Sequence, residues 1–287
     1  MKERLIKLYK KCFPEDGQAV AKYMFDTILS PENALIEYDG DIIISAVYLV
    51  DKTLYYKNSV VCMPYIVALG TDPDYRYKGY SKKLIIRCLE KLYKENLPFV
   101  ALYPFNHAFY QKFGFFIASF DYKLSGKKVK CSIEDIKQIY QKFCSPLDYY
   151  IVRDDSFYDF VLGMLNLEQR SFCKVIDNDN LVGYTNGEES LPAEYKLAKE
   201  PGVMVRIVDA KAALSISNLT FDKKIMIKDE LIKENNFCCK VDGGKVIKTC
   251  DYDVAIDIAH LGEIIFGKKT IDGKNVNTLN GYLADKY

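Results

Sequence analysis

The stretch over residues 64–95 constrains the fold most, because it passes from an apolar strand through a turn into an amphipathic helix. Pro64–Thr71 is strand-like, Asp72-Pro73-Asp74 breaks the run, and Gly79–Glu95 follows a helical pattern. Its apolar residues are Leu84, Ile85, Cys88, Leu89 and Leu92. A helix start exposes backbone N–H groups that have no partner within the helix, and it carries partial positive charge. The stretch therefore predicts a phosphate-binding site at the start of this helix.

The composition of the turn agrees with that prediction. Gly79 removes a Cβ where a phosphate would crowd the chain, and Ser81 is small for the same reason. Arg76, Lys78 and Lys82 add local positive charge. The alternative is an ordinary loop before a basic helix, since one glycine in such a turn can occur by chance.

A second motif lies some thirty residues further on. Residues 104–115 read Pro-Phe-Asn-His-Ala-Phe-Tyr-Gln-Lys-Phe-Gly-Phe, follow the short apolar strand Phe99–Leu102, and end in an aromatic-glycine-aromatic passage into another strand. Both motifs thus follow a strand, and the second one predicts a short helix over Phe105–Lys112.

The remaining patterns predict a mixed α/β chain. For the first 124 residues the predicted order is ααββββαβαβ, with two helices over residues 2–28 broken near Pro14 and strands at Ala34–Tyr38, Ile42–Val50, 53–61, Pro64–Thr71, Phe99–Leu102 and Phe115–Tyr122. After a polar segment at Ser125–Lys130, helices are predicted at Ser132–Phe143, Ser156–Leu167, Ala210–Ile216 and Asp253–Ile265. Further strands are predicted at Ser171–Ile176, Asn180–Tyr184, Met204–Val208, Lys224–Lys228, Asn236–Val241 and Lys245–Cys250.

Composition excludes several classes of protein. With 287 residues, 49% hydrophobic and 28% charged, the chain is too apolar to be disordered, and its net charge of +1 provides no field that would attract nucleic acid. The N-terminus lacks an apolar signal core, and no apolar run approaches the ~20 residues that span a bilayer. We therefore expect a soluble, cytoplasmic protein with neither nucleic acid nor a membrane as partner.

Cysteine and histidine spacing predicts no metal site. The nine cysteines include no CxxC pair, and the two histidines, His107 and His260, are far apart. The adjacent Cys238 and Cys239 could be a redox pair, but in a strand they would face opposite sides. We expect them to be small buried hydrophobes, and we expect His260 to lie in the core.

Together the two motifs resemble those of the GNAT superfamily of acyl-CoA-dependent N-acyltransferases. The first is similar to that superfamily's Arg/Gln-x-x-Gly-x-Gly/Ala pyrophosphate loop, with Ser81 in place of the usual glycine or alanine, and the second to its tyrosine-bearing helix. The resemblance covers residues 1–124 and implies a catalytic domain with a mixed, splayed sheet. More narrowly, Met204-Val205-Arg206-Ile207-Val208-Asp209-Ala210 resembles the enhanced intracellular survival (Eis) family. That likeness implies a trimmed GNAT-like region without a CoA motif at 125–199 and a sterol-carrier-like α+β domain at 200–287.

The resemblance also implies the ligands. Acetyl-CoA is the expected cosubstrate, and its expected contacts are Leu69, Gly70, Thr71, Arg76, Tyr77, Lys78, Gly79, Tyr80, Ser81, Lys82, Phe105 and Asn106. The expected acceptor is a small-molecule or peptide amine, and a homo-oligomer is expected. The alternative is a non-catalytic sensor that binds acyl-CoA or a lipid.

Three residues are candidates for acid–base chemistry. The resemblance implies that Tyr110 is the general acid that protonates the departing thiolate, whereas a tyrosine packed against the sheet is the alternative. It also implies that the terminal carboxylate of Tyr287 is the base, although this group could equally belong to an exposed tail. His107 is the other titratable candidate, since histidine is the side chain that most readily exchanges protons near neutral pH.

Overall fold

The computed structural model describes residues 1–196, 198, 200–271 and 279–284, in which helices alternate with strands of two to nine residues. The helices are α1 (Lys2–Cys12), α2 (Gly17–Thr27), α3 (Tyr80–Lys94), α4 (His107–Gln111), α5 (Ile133–Cys144), α6 (Asp155–Leu167), α7 (Ala210–Ser217) and α8 (Ile258–Ile265). The strands are β1 (Ala34–Asp39), β2 (Ile42–Val50), β3 (Thr53–Tyr56), β4 (Ser59–Cys62), β5 (Tyr65–Thr71), β6 (Phe99–Leu102), β7 (Phe116–Ile117), β8 (Phe120–Asp121), β9 (Lys127–Lys130), β10 (Tyr149–Val152), β11 (Cys173–Asp177), β12 (Asn180–Thr185), β13 (Ser190–Pro192), β14 (Glu200–Pro201), β15 (Met204–Ile207), β16 (Ile225–Lys228), β17 (Cys238–Asp242), β18 (Lys245–Thr249), β19 (Val254–Asp257) and β20 (Gly281–Tyr282). The predicted mixed α/β class is confirmed.

Two predicted strands of the first 124 residues are interrupted. The strand expected at 53–61 is two strands, β3 and β4, because Lys57 and Asn58 both take positive φ and turn the chain between them. The strand expected at 115–122 is likewise divided into the two-residue strands β7 and β8. In both places the apolar alternation predicts the strand, but it does not predict the point at which the strand is interrupted.

Two later predictions are also wrong. Residues 253–265 begin as a strand, β19, which pairs in parallel with β16. The helix starts only at Ile258, where the Asp257 side chain accepts the His260 N–H at 2.7 Å and acts as the N-cap. The polar segment at 125–130 contains β9, which pairs with β11. All four of its side chains are exposed and three of them are lysines, so no alternation of buried apolar residues marks this strand.

By density of internal contacts, the described residues divide into two compact units. The first comprises residues 1–52, 62–116 and those described within 204–278. Its main sheet has the strand order β1-β2-β5-β6-β15-β7, and α1 and α3 pack against this sheet. A second, four-stranded sheet in the same unit has the order β18-β17-β16-β19.

The second unit comprises residues 53–61, the described part of 117–203, and 279–284. It contains the sheets β20-β10-β3-β4 and β13-β12-β11-β9, the pair β14-β8, and the helices α5 and α6. Helix α5 starts with a capping box between Ser132 and Asp135. Residues 281–282 form the short strand β20, which pairs in parallel with β10.

Each unit is assembled from separated stretches of chain. Neither coincides with the ranges 1–124, 125–199 and 200–287, which rest on family resemblance and stay a prediction.

Within the same described residues, no helix is long and apolar enough to cross a membrane.

A buried ion pair joins distant parts of the second unit. The Arg153 guanidinium donates to both Glu189 oxygens, at 2.6 and 3.1 Å, and to the Ala284 carbonyl at 2.8 Å. It lies between the rings of Tyr140 and Phe157, whose centroids are 4.1 and 4.5 Å away. Because both charged side chains are almost fully buried, each depends on the other for its solvation.

We predict that Arg153→Met strongly destabilises this unit, because it leaves the Glu189 carboxylate buried without the positive charge of Arg153 beside it. Losing one member of a buried pair costs about 3–5 kcal/mol, which urea unfolding followed by circular dichroism would detect as a lower midpoint. The matched control is Lys142→Met, which breaks the exposed pair with Glu194 in the same unit and should leave the midpoint unchanged. Equal effects of the two substitutions would contradict this account.

Candidate functional site

A cavity of about 590 Å³ lies in the first unit, where the end of β5 passes through a loop into α3. The side opposite α3 is formed by residues before and within α4. The residues that line it are Cys12, Phe13, Glu15, Leu69, Gly70, Thr71, Tyr75, Arg76, Tyr77, Gly79, Tyr80, Ser81, Lys82, Phe105 and Phe109.

The start of α3 presents backbone donors to this cavity. Gly79 is the N-cap, with φ +85° in the left-handed region, and a Cβ placed there would meet no atom within 4 Å. The backbone conformation therefore favours glycine, and the space beside it is open. The first helical bond runs from the Lys83 N–H to the Gly79 carbonyl at 3.0 Å. The N–H groups of residues 80–82 consequently have no acceptor within the helix.

Ser81 stands where the pyrophosphate motif usually has glycine or alanine, and its hydroxyl has a hydrogen-bond partner. Ser81 Oγ lies 3.0 Å from Thr71 Oγ1, which lies 2.8 Å from Ser45 Oγ. Ser45 Oγ in turn donates to the Gly70 carbonyl at 2.8 Å. This chain of hydroxyls joins the start of α3 to the end of β5, so the serine has a structural partner that glycine or alanine would lack.

The loop between β5 and α3 is held by charged side chains. Asp72 accepts from Lys11 Nζ at 2.6 Å and from the Asp74 N–H at 3.3 Å, while Arg76 Nε donates to the Thr71 carbonyl at 3.3 Å. Burial alone would raise the pKa of Asp72, but the hydrogen bonds from Lys11 and Asp74 and the charges of Lys11 and Arg76 outweigh it, and the pKa is lowered.

Strand β5 is irregular where it borders the cavity. Its pairing with β2 sets two residues, Ala68 and Leu69, opposite the single residue Val47, and Ala68 takes φ +50°. This is a β-bulge, which leaves one residue out of the ladder. On its other side β5 pairs with β6 at Tyr65 and Ala101, and its later residues run on past that point. The expected splay of the sheet therefore corresponds to the bulge in β5 and to the continuation of β5 beyond its pairing with the parallel strand β6.

Residues 12–15 form a wall of the cavity that sequence reasoning missed. A Cβ on Gly70 would lie 2.9 Å from both Cys12 Cβ and Sγ and 3.3 Å from the Phe13 ring, so glycine permits α1 to approach the strand. Burial raises the pKa of Cys12 to about 11, so its thiol stays protonated at neutral pH. No local signal marks this wall, because it is more than fifty residues before the motif that it faces.

Tyr110 is buried beside the cavity. It lies on the five-residue helix α4, whose N-cap Asn106 accepts the Phe109 N–H at 3.1 Å. Its ring contacts those of Phe105 and Phe109, with centroids 5.5 and 5.0 Å away. Burial raises the pKa of Tyr110 above its usual value. The phenol is therefore protonated throughout the physiological range.

The structure brings most of the predicted site residues together. Ten of the twelve expected ligand contacts line the cavity; the other two are Lys78, which lies 4.9 Å from the Tyr75 ring, and the helix cap Asn106. Tyr110 contacts two lining rings but is not itself among the lining residues. Tyr287 lies outside the described residues. The ligand contacts and catalytic roles of all these residues stay predictions.

The remaining candidates have structural settings. His260 is half-buried rather than fully in the core, and its ring lies 3.3 Å from the Thr270 carbonyl. Cys238 is half-buried and Cys239 is buried on adjacent positions of β17, as alternation in a strand predicts. In the part of the chain that the structure describes, no three histidine, cysteine or acidic side chains are grouped as a metal site.

We predict that Asp72→Asn lowers stability at neutral pH and makes it less sensitive to acid. Because the folded-state pKa of Asp72 is lowered, its stabilising effect is present above the ordinary pKa near ~3.9 and is lost as pH falls through the folded value. Urea midpoints of the variant and the wild type should therefore differ at pH 7 and approach each other as pH falls below the ordinary pKa of an aspartate. The control is Asp74→Asn at an exposed neighbouring position. A constant difference across the pH range would contradict the assignment.

Comparison with known proteins agrees with this geometry. Residues 2–118 match the family model described as an acetyltransferase (GNAT) domain. No curated protein matches the sequence of the chain.

Three solved structures illustrate the similarity of fold. Eis1 from Mycobacterium abscessus is 16% identical with a TM-score of 0.70, over 94% of this chain and 88% of that one. A protein of unknown function from Enterococcus faecalis V583, described as a probable N-acyltransferase, is 14% identical with a TM-score of 0.73, over 100% and 97% of the two chains. A GCN5-related N-acetyltransferase from Anabaena variabilis is 18% identical with a TM-score of 0.63, over 91% and 86%.

Identities this low establish a common fold and nothing finer, whereas the family model concerns the stretch that contains the cavity. Both sequence motifs fall within the matched residues, and the start of α3 has the conformation that the first motif requires. Residues 2–118 thus match the model of a GNAT acetyltransferase domain, within a chain whose fold is similar to that of Eis1.

Proposed function

We propose that the chain is an acyl-CoA-dependent N-acetyltransferase that moves an acetyl group from acetyl-CoA to a primary amine. The observation that carries the proposal is the start of α3 at the left-handed Gly79, where residues 80–82 line an open cavity and their N–H groups have no acceptor within the helix. Backbone donors at a helix N-terminus suit a pyrophosphate. Residues 77–82 would hold that group, with Arg76 and Lys82 adding positive charge.

The neighbouring strand supports the same ligand. Beyond Tyr65, the edge of β5 that faces away from β2 leads along the cavity through Leu69, Gly70 and Thr71. Its main-chain N–H and C=O groups would pair with the amides of the pantetheine arm, as a neighbouring strand does. Phe105 and Asn106 would bound the opposite side.

The reaction sets three chemical requirements. The acceptor must be a neutral amine, since an ammonium ion has no lone pair, and its nitrogen forms a bond to the thioester carbonyl carbon while the carbon–sulfur bond breaks. The electron pair stays on sulfur, which takes a proton from the Tyr110 hydroxyl. The surplus proton on nitrogen goes to a base. Because the pKa of Tyr110 is raised, the acid is in its protonated form at neutral pH.

Two groups are candidates for the base. One is the terminal carboxylate of Tyr287, which has a reference pKa near ~3.5 and would act through a water molecule. The other is His107, which opens α4 three residues before Tyr110. The first candidate rests on resemblance and the second on its place in the same short helix.

The acceptor is proposed as a small-molecule or peptide amine. Glu15 is the one acidic side chain among the residues that line the cavity, and it lies at the wall formed by α1 and the turn after it. The assembly is proposed to be a homo-oligomer, with residues 125–199 as a reduced GNAT-like region and 200–287 as a sterol-carrier-like domain.

A second candidate function belongs to another class, a sensor that binds acyl-CoA or a lipid without catalysis. It is favoured by the position of Tyr110, which lies behind the rings of Phe105 and Phe109 rather than on the cavity wall. The two functions differ in one measurable respect, because a sensor binds acetyl-CoA without releasing free thiol.

We predict that Gly79→Ala weakens the binding of acetyl-CoA at least tenfold in calorimetry, because a methyl group would occupy the approach of the pyrophosphate. The matched control is Gly40→Ala, at a hairpin glycine that also has positive φ and open space around its absent Cβ. Both substitutions cost about 1–2 kcal/mol of backbone strain. Only Gly79→Ala should change affinity. Equal affinities of the two variants, or no binding of acetyl-CoA by the wild type, would overturn the proposed cofactor site.

We predict that Tyr110→Phe lowers kcat at least about 100-fold in a thiol-release assay with acetyl-CoA, because a positioned general acid contributes about 10²–10⁴-fold. The assay uses a panel of polyamines, aminoglycosides, amino acids and short peptides. The KM for acetyl-CoA should change little, since Tyr110 is not placed at the pyrophosphate. The raised pKa further predicts no loss of activity from this group between pH 7 and 9.

Further variants complete that assay. Tyr93→Phe removes a hydroxyl from α3 outside the cavity lining and should have wild-type activity. A form that lacks Tyr287 and the variant His107→Asn distinguish the two candidate bases by which of them loses turnover. Binding of acetyl-CoA without thiol release for any amine would favour the sensor, and wild-type kcat in Tyr110→Phe would remove this residue from the mechanism.

A further inference from the structure

Arg206 is a charged side chain in the interior of the first unit. It lies on β15, which pairs with β6 in the main sheet, and its exposed surface is 0%. The residues around Arg206 carry the resemblance to the Eis family, and the proposed reaction does not use Arg206. A fully buried guanidinium must be compensated by partners of opposite charge or by hydrogen bonds.

Those partners come from three separate parts of the unit. One nitrogen, Nη2, donates to both carboxylate oxygens of Asp229, at 2.7 and 2.9 Å. Nη1 donates to the carbonyl of Ile207, the next residue on the strand. Nε donates at 2.6 Å to the carbonyl of Phe113, three residues after Tyr110. The guanidinium therefore joins β15 and Asp229 to the segment that leaves α4.

Asp229 is itself held in place. Its Oδ1 accepts the N–H groups of Leu231 and Ile232 at 2.9 and 3.1 Å, and its Oδ2 accepts from Asn235 Nδ2 at 2.9 Å. Asn235 also donates to the Val208 carbonyl at 2.9 Å, at the end of β15. The carboxylate thus has a single position, and it determines the direction in which Arg206 presents its remaining N–H groups.

The Phe113 carbonyl lies two residues after the end of α4, the helix that bears Tyr110. Helix α4 has only five residues, and its last turn closes with bonds from Phe113 N–H to the Tyr110 carbonyl and from Gly114 N–H to the Gln111 carbonyl. A helix this short has little stability of its own. At Gly114, with φ +79°, a Cβ would lie 2.7 Å from Ile258 and 3.4 Å from Arg206 Nε, so the backbone passes directly against the guanidinium.

We infer that Arg206, oriented by Asp229, is a positioning residue that holds the C-terminal end of α4 and thereby places Tyr110 for proton transfer. The inference rests on the proposed function, because it gives Tyr110 the role of acid. Asn106 fixes the other end of the same helix through the Phe109 N–H. The strand near residue 204 thus contributes to catalysis without contacting substrate.

The test uses Arg206→Lys in the full chain, because a lysine keeps the charge for Asp229 but lacks the planar fork that reaches two partners at once. We expect kcat to fall about tenfold and the KM for acetyl-CoA to stay within about twofold. Combined with Tyr110→Phe, the substitution should lower kcat by less than about twofold further, since the acid that it positions is already absent.

A second measurement does not depend on turnover. Hydrogen exchange followed by mass spectrometry should show faster exchange in residues 107–116 of Arg206→Lys, with the α3 segment unchanged. Asp229→Asn provides a milder variant in case Arg206→Lys does not fold, because its amide oxygen can still accept hydrogen bonds while the charge is lost. The matched control is Ile225→Ala, which removes a fully buried side chain from β16 and should lower stability without altering kcat or this exchange.

The outcomes are distinguishable. Unchanged exchange in residues 107–116 of both variants would overturn the positioning role whatever the activity. Faster exchange with a kcat loss that persists in the Tyr110→Phe background would overturn the link to Tyr110. If the wild type shows no turnover, the proposed function fails and the catalytic part of this inference fails with it, whereas the exchange result decides the contact between Arg206 and α4 independently.

Discussion

The site depends on the parting of two neighbouring strands. Backbone N–H and C=O groups away from water need partners. Among the residues that the structure describes, β5 pairs with β2 along most of its length and with β6 at Tyr65 and Ala101. Past that point the free edge of β5 borders a cavity. The bulge at Ala68 removes a further residue from the ladder just before the strand reaches the loop to α3. The unpaired edge and the unpaired helix start are therefore consecutive in the chain and border one space.

Small residues maintain that space, each for a different physical reason. Gly70 permits the close approach of α1, since any Cβ there would meet Cys12 and Phe13. Gly79 is favoured by a left-handed backbone at the helix cap and has open space around it. Ser81 instead has a bonded partner, because its hydroxyl continues a chain that begins at Ser45. A motif that looks uniform in sequence is thus a set of separate constraints.

Each compact unit also contains a buried arginine–carboxylate pair between residues distant in the chain. Arg206, paired with Asp229, joins β15 to the segment that follows α4. Arg153, paired with Glu189, joins the residues just before α6 to Ala284. Buried charges are tolerated only when their geometry is complete. Within each unit, the pair therefore connects stretches of chain that are far apart in the sequence.

The sequence by itself determined the elements and the start of the site. Apolar spacing located α3 and its strand, and Gly79 with its basic neighbours indicated an anion site, because helix periodicity and the conformational freedom of glycine are local properties. Local breaks at Lys57 and Asn58 were missed, since neither residue is a glycine that would announce positive φ. Only the tertiary structure brought Cys12 against Gly70 and Arg206 against Phe113. Those contacts arise from packing between residues 58 and 93 positions apart, which no local pattern encodes.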